Sequence, residues 1–150
     1  MITIRAANSA HDIEECFRIR DEVFIGEQQV PADLECDEDD SKALHFLAVV
    51  DGRAAGTARV VFRDEGRSAK IGRVAVCRQD RGVGIGKLLI AAIEAAPDLK
   101  YVGNFLLDAQ THASQFYERL GYEAYGEAFM DAGISHHHMK KRNRRHVRRD

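Results

Sequence analysis

Residues Arg81-Gly82-Val83-Gly84-Ile85-Gly86-Lys87 carry the densest chemical signal in the chain. Glycines let backbone N–H groups approach a ligand without a Cβ in the way, and a helix N-terminus adds unpaired N–H donors and the positive end of its dipole. Together they form a phosphate-binding arrangement. Spacing separates the competing chemistries. A P-loop needs Gly-x4-Gly-Lys-Ser/Thr, but Arg81 stands five before Gly86 and Leu88 follows Lys87, so the magnesium-binding hydroxyl is missing. A dinucleotide fingerprint needs G-x-G-x-x-G early in a strand-helix-strand unit, whereas this run is late and reads G-x-G-x-G. What remains is Arg-x-x-Gly-x-Gly directly after a strand; the bland alternative is a plain strand-to-helix turn.

Other residue types invite chemistry and have quieter readings. Tyr117 suits a general acid or a core aromatic. Glu35, Asp37 and Asp40 could bind or deprotonate an ammonium group, or form a solvated acidic face, and His45 could share that task or cap a strand edge. Cys77 ends the loop strand, but no cationic partner on its own face lowers its pKa, so a structural thiol is expected. Of His136, His137 and His138, strand alternation puts only the first and third on one face, so no metal site is expected.

These residues need elements to position them. Ile71, Val74 and Val76 alternate as a strand before the loop, and Leu88, Leu89, Ala92, Ile93 and Ala96 recur at helical spacing after it, up to about Pro97. Upstream come a strand over Ile2–Ala6, a helix capped by Asn8 or Ser9 and running to Val23-Phe24, and a long acidic loop over 26–40. Leu44–Val50 and Ala54–Phe62 make an antiparallel pair around Asp51-Gly52. Downstream come a strand over Asn104–Ala109, a helix over His112–Leu120 closed by Gly121, and a last pair over Tyr122–Phe129 and Ser135–Lys141. The class is α+β with a mixed, mostly antiparallel sheet flanked by helices on both faces.

Composition bounds the rest. The chain has 150 residues, 45% hydrophobic and 31% charged, which suits one soluble domain over 1–141. No apolar run nears the roughly 20 residues of a membrane span, and the first residues lack a signal-peptide layout, so a cytoplasmic location without membrane contact is expected. Three scattered cysteines fit reduced thiols. The net charge is -2, but residues 142–150 are strongly basic and hold no aromatic to stack on bases; a loose, solvated tail is expected, with nucleic acid not the expected partner.

The loop, its place in this element order, and the segments Phe24–Pro31, Leu34–Asp40, Gly56-Thr57-Ala58-Arg59, Phe116-Tyr117-Glu118 and Gly133-Ile134-Ser135-His136 resemble the GNAT acetyltransferase superfamily, in its ElaA-like branch, over roughly residues 1–141. That resemblance implies an N-acyltransferase moving an acetyl group from acetyl-CoA, its cosubstrate, to a small-molecule primary amine by direct attack. It implies that the loop strand splays from the fifth strand so that the pantetheine arm inserts, bonded by backbone around Val74, Ala75 and Val76, with a Val76 N–H at the thioester carbonyl. Arg81, Gly82, Val83, Gly84, Ile85, Gly86 and Lys87 would hold the pyrophosphate, Gln110 stands where many members have an asparagine, and Tyr117 matches the tyrosine that protonates the leaving thiolate. Glu35 and His45 are the candidate bases. The rival expectation is a CoA-binding or nucleic-acid-associated module without turnover that uses the basic tail. An exposed last hairpin could pair across a homodimer.

Overall fold

In the computed structural model, which describes residues 1–149, seven strands form one mixed, mostly antiparallel sheet in the order β1-β2-β3-β4-β5-β7-β6. They are β1 Ile2–Ala6, β2 Leu44–Val50, β3 Arg53–Arg63, β4 Ser68–Val76, β5 Asn104–Gln110, β6 Glu123–Asp131 and β7 Ile134–Arg142. The helices are α1 Ala10–Arg20, α2 Ala32–Glu35, α3 Ile85–Glu94 and α4 Ser114–Arg119. The chain divides into two compact units: Met1–Val61 with Arg73–Ile93, and Phe62–Gly72 with the chain from Glu94 onward. Among the described residues no helix is long and apolar enough to cross a membrane.

In the first unit Ser9 caps α1, its hydroxyl accepting the Asp12 N–H at 3.0 Å. The helix does not stop where its α-periodicity does: Asp21–Glu27 continues it as a π-helical stretch. Cys16, Ile19 and Val23 pack with Leu47, Ala75 and Cys77. On the neighbouring ladder position, where Ala48 faces Gly56, a Cβ on Gly56 would stand 3.0 Å from Ile85 and 3.4 Å from Leu89. Successive strand residues point to opposite faces, so α1 and α3 cover opposite faces of this unit's strands. The absent side chain at Gly56 lets α3 settle directly onto β3.

In the second unit β4 pairs with β5 in parallel, from Ser68 opposite Asn104 to Ile71 opposite Leu107, and β5 pairs with β7 and β7 with β6 in antiparallel fashion. Phe105, Leu107, Ala109 and Met139 are buried. The alternate residues Asp108, Gln110, His136 and His138 lie in register on the other face.

The chain end differs from the loose tail expected beyond residue 141. β7 runs to Arg142, and the buried Asn143 donates from Nδ2 to the Val102 carbonyl at 2.8 Å while its own N–H reaches Gly103 O, also at 2.8 Å. The Val147 N–H then bonds Lys100 O at 2.7 Å, and the Arg149 guanidinium lies 4.4 Å from the centre of the Tyr101 ring. One amide side chain and two backbone bonds hold a segment whose charge alone would keep it apart.

Candidate functional site

The loop expected from the sequence forms in the first unit. Gly82 and Gly84 have φ of 85° and 90°, the left-handed region glycine enters without steric cost. The Leu88 N–H bonds Gly84 O at 3.0 Å and starts α3. Helical geometry therefore leaves the N–H groups of Ile85, Gly86 and Lys87 without an intrahelical acceptor. Gly86 and Lys87 thus act from the first turn of the helix, and the turn proper is Arg81 to Gly84. Together with the dipole of a ten-residue helix this makes an anion seat.

Arg81 is placed differently from the sequence expectation. Its Nη atoms grip the Glu27 carboxylate at 3.0 and 2.8 Å, and its Nε donates to Val76 O at 2.9 Å. Arg81 ties the loop to β4 and to the π-helical stretch. Glu27 is correspondingly held below the usual carboxylate range by the hydrogen bond from Arg81.

On β4 the Cys77 N–H bonds Ala55 O of β3 at 2.9 Å. Alternation then directs the N–H groups of Val76 and Val74 away from β3 while Ala75 faces it. Arg73, just before, has a left-handed φ of 51° that interrupts the pleat. Its side chain stabilises that conformation by donating to Glu35 O at 2.9 Å, to Glu35 Oε2 at 3.0 Å and to Asp37 Oδ2 at 3.2 Å.

Glu35, one of the candidate bases, belongs to a lattice of ion pairs. Arg20 and Glu35 are 1% and 2% exposed and meet at 2.8 Å. Arg20 also reaches Asp40 at 2.7 Å, and Arg59 reaches Asp37 at 2.6 Å and Asp40 at 2.8 Å. Three arginines from α1, β3 and β4 thereby neutralise three carboxylates of the 31–41 segment. Burial pushes the Asp40 carboxyl up, but the Arg20 and Arg59 hydrogen bonds outweigh it and hold it well below its ordinary value. The acidic run, read from sequence as a bias toward cationic acceptors, spends these charges on its own arginines. His45 sits in the same unit, 6% exposed, with Nε2 bonded to Asp40 O at 3.0 Å and its ring 5.6 Å from that of Phe17.

Tyr117 lies in the second unit on α4, 9% exposed, edge-on to Phe116 at 5.0 Å and to Tyr122 at 6.1 Å. Burial alone pushes its phenol up to about 12, so it stays protonated through the physiological range. The helix ends over Gly121, at φ 98°, with the Tyr122 N–H on Tyr117 O at 3.1 Å. Gln110 ends β5, its Oε1 2.6 Å from His112 Nε2.

Cys77 is 4% exposed, and burial together with Glu22 pushes its thiol up to about 11, the reverse of a nucleophilic cysteine. Among the described residues no group of three His, Cys, Asp or Glu side chains could hold a metal ion. His136 and His138 instead stack on Phe129, with ring centres at 5.7 and 4.2 Å. Sequence reasoning missed Glu27, Arg73 and Asp108 as partners; each lies 30 or more residues from the group it holds.

Residues 6–143 match the acetyltransferase (GNAT) domain. The chain belongs to the GNAT acetyltransferase family. It is 34% identical over 136 residues to the uncharacterized N-acetyltransferase YjcF of Bacillus subtilis, covering 90% of this chain and 96% of that one. Among solved structures it is similar to an acyl-CoA N-acyltransferase from Pseudomonas aeruginosa, at 30% identity and a TM-score of 0.79, covering 94% of this chain and 98% of that one. It is likewise similar to Escherichia coli ElaA, at 25% identity and a TM-score of 0.79, over 94% and 99% of the two chains. Membership of the family supports acyl transfer from an acyl-CoA as the general activity.

Proposed function

We propose that this GNAT protein is an N-acetyltransferase that moves an acetyl group from acetyl-CoA to the primary amine of a small molecule, by direct attack in a ternary complex. The observation that carries the reading is the row of N–H groups at Ile85, Gly86 and Lys87 behind the left-handed Gly82 and Gly84, in a chain that matches the GNAT domain over residues 6–143. That row takes the pyrophosphate, and Arg81 keeps the turn in shape through Glu27 and Val76 O.

The N–H groups of Val74 and Val76, directed away from β3, bond the pantetheine arm and the thioester oxygen, where negative charge develops as the amine attacks. Tyr117 then gives its proton to the departing thiolate, a role that suits a phenol still protonated at every working pH. The raised thiol of Cys77 supports direct attack over an acyl-cysteine.

Calorimetric titration with acetyl-CoA, free CoA and ATP tests the donor. Low-micromolar CoA binding that Gly84→Glu abolishes is the expected result, since the substitution puts a negative charge and a strained left-handed residue at the phosphate seat. CoA binding no tighter than ATP binding overturns the reading.

A further inference from the structure

The face of β5, β7 and β6 opposite the buried Phe105, Leu107 and Met139 carries a chain of polar groups that the proposed mechanism leaves unused. Lys70 Nζ lies 2.8 Å from Asp108 Oδ2, and Asp108 Oδ1 lies 2.6 Å from His138 Nδ1. Burial raises the Asp108 carboxyl, but its hydrogen bonds from Lys70 and His138 outweigh that and keep it below its ordinary value, so it stays an anion facing the imidazole. The carboxylate fixes the tautomer: Nδ1 donates to Asp108, and Nε2 carries the lone pair.

The ring is clamped as well as oriented. Phe129 stacks on it at 4.2 Å and Tyr125 at 5.6 Å, with planes inclined by 22° and 24°. Other charged or titratable groups on this face are His136, which stacks on Phe129 and bonds Ile134 O, Lys140, which stands over Tyr125, Glu123 in register with Lys140, Asp131 in register with Ile134, and Arg142 in register with Asn104. The His138 side chain is 43% exposed, so the imidazole is both held and reachable. An imidazole with one nitrogen on a carboxylate and the other open is the arrangement of a general base.

We propose that His138 is the general base of the acetyl transfer, accepting a proton on Nε2 from the ammonium form of the acceptor, and that Asp108 and Lys70 are its positioning residues. The aromatic wall of Tyr125 and Phe129 then borders the acceptor, whose class is a primary alkylamine that arrives charged. This rests on the acetyltransferase reading above. One proton passes from the ammonium to Nε2, and Asp108 stabilises the imidazolium. The freed amine forms the C–N bond as the C–S bond breaks; the thiolate takes a proton from Tyr117, the nitrogen's second proton restores the Tyr117 phenol, and His138 gives its proton to solvent, so the turnover releases one proton net.

The test compares two acceptors at several pH values: spermidine, charged at pH 7, and p-anisidine, an arylamine that is uncharged there. With spermidine, His138→Gln is expected to lower kcat/KM at pH 7 by at least about tenfold, the loss shrinking toward pH 9, and with p-anisidine the change stays within about twofold. His138→Ala regains activity with added imidazole, and Asp108→Asn shows the same acceptor dependence to a smaller extent. An equal loss on both acceptors at every pH, or no loss on either, overturns the base role while leaving the transferase reading intact. Failure of the wild type to transfer acetyl to either amine, despite binding acetyl-CoA, overturns both. If the variants do not fold, the ring carbon-bound proton signals of wild-type His138 are followed as spermidine is added to the CoA complex; a shift supports the proposal and an unmoved ring overturns it.

Discussion

Two groups of charged side chains in this protein look alike in composition and differ in wiring. Under the 31–41 segment every carboxylate of Glu35, Asp37 and Asp40 meets at least one of Arg20, Arg59 and Arg73, and the central pair is 1% and 2% exposed. On the open face of β4, β5, β7 and β6, Lys70, Asp108 and His138 form a chain with one end on a half-exposed imidazole. A closed lattice has no valence left for a substrate; an open chain has one. The acidic segment that supplied candidate bases from the sequence has its charges engaged by arginines, and the histidine run carries the half-exposed imidazole on which the proposed base role rests.

The comparison breaks most readily at Glu35. Replacing it by Ala leaves the buried Arg20 guanidinium short of its main partner, and a loss of about 3–5 kcal/mol is expected in chemical denaturation. A loss below about 1 kcal/mol would mean that the lattice does not hold the segment. Tyr117→Phe should come next: kcat falls by about a hundredfold or more while acetyl-CoA affinity holds. Because the phenol sits at about 12, the wild type should not lose this proton between pH 7 and pH 9, and the deficit of the variant should hold across that range. An unchanged kcat across that range would remove Tyr117 from the chemistry.

Acid should separate the two regions further. Asp37 and Asp40 are held below their ordinary values by arginine hydrogen bonds. Their contribution to stability is complete above the unfolded carboxylate pKa of about 3.9 and is lost as pH falls through the lower folded values. Denaturation followed from pH 6 to pH 2 should show stability dropping below about pH 4, and less steeply in Arg59→Met, which lacks the cation. An identical slope in the variant would contradict the lattice assignment. The smallest effect is expected at the open chain: Lys70→Met should cost less than about 1 kcal/mol, because both partners are partly exposed and screened by salt.

Local pattern carried most of the fold. Alternation around Asp51-Gly52 located β2 and β3, Ser9 and Gly121 marked helix ends, and the glycine spacing located the turn that opens α3. What depends on register was out of reach. Asp108 and His138 are 30 residues apart and meet only because β5 and β7 pair in one register; Arg73 and Glu35, 38 apart, meet only because the 31–41 segment folds against β4. Arg81 next to two glycines gives no hint of its contact with Glu27, 54 residues away. A left-handed arginine at 73 has no local signal, since glycine is the residue that announces that conformation. Asn143 is one amide in a basic run, and only the neighbouring Val102 and Gly103 carbonyls reveal it as an anchor.

The most direct test of the account is the initial rate of thiol release from acetyl-CoA with spermidine varied at several acetyl-CoA concentrations. Amine-dependent release with intersecting reciprocal plots, surviving Cys77→Ala, is the predicted result for direct attack in a ternary complex. Binding of acetyl-CoA with no amine-dependent thiol release would make the protein a CoA-binding module, and parallel plots abolished by Cys77→Ala would replace direct attack with an acyl-cysteine.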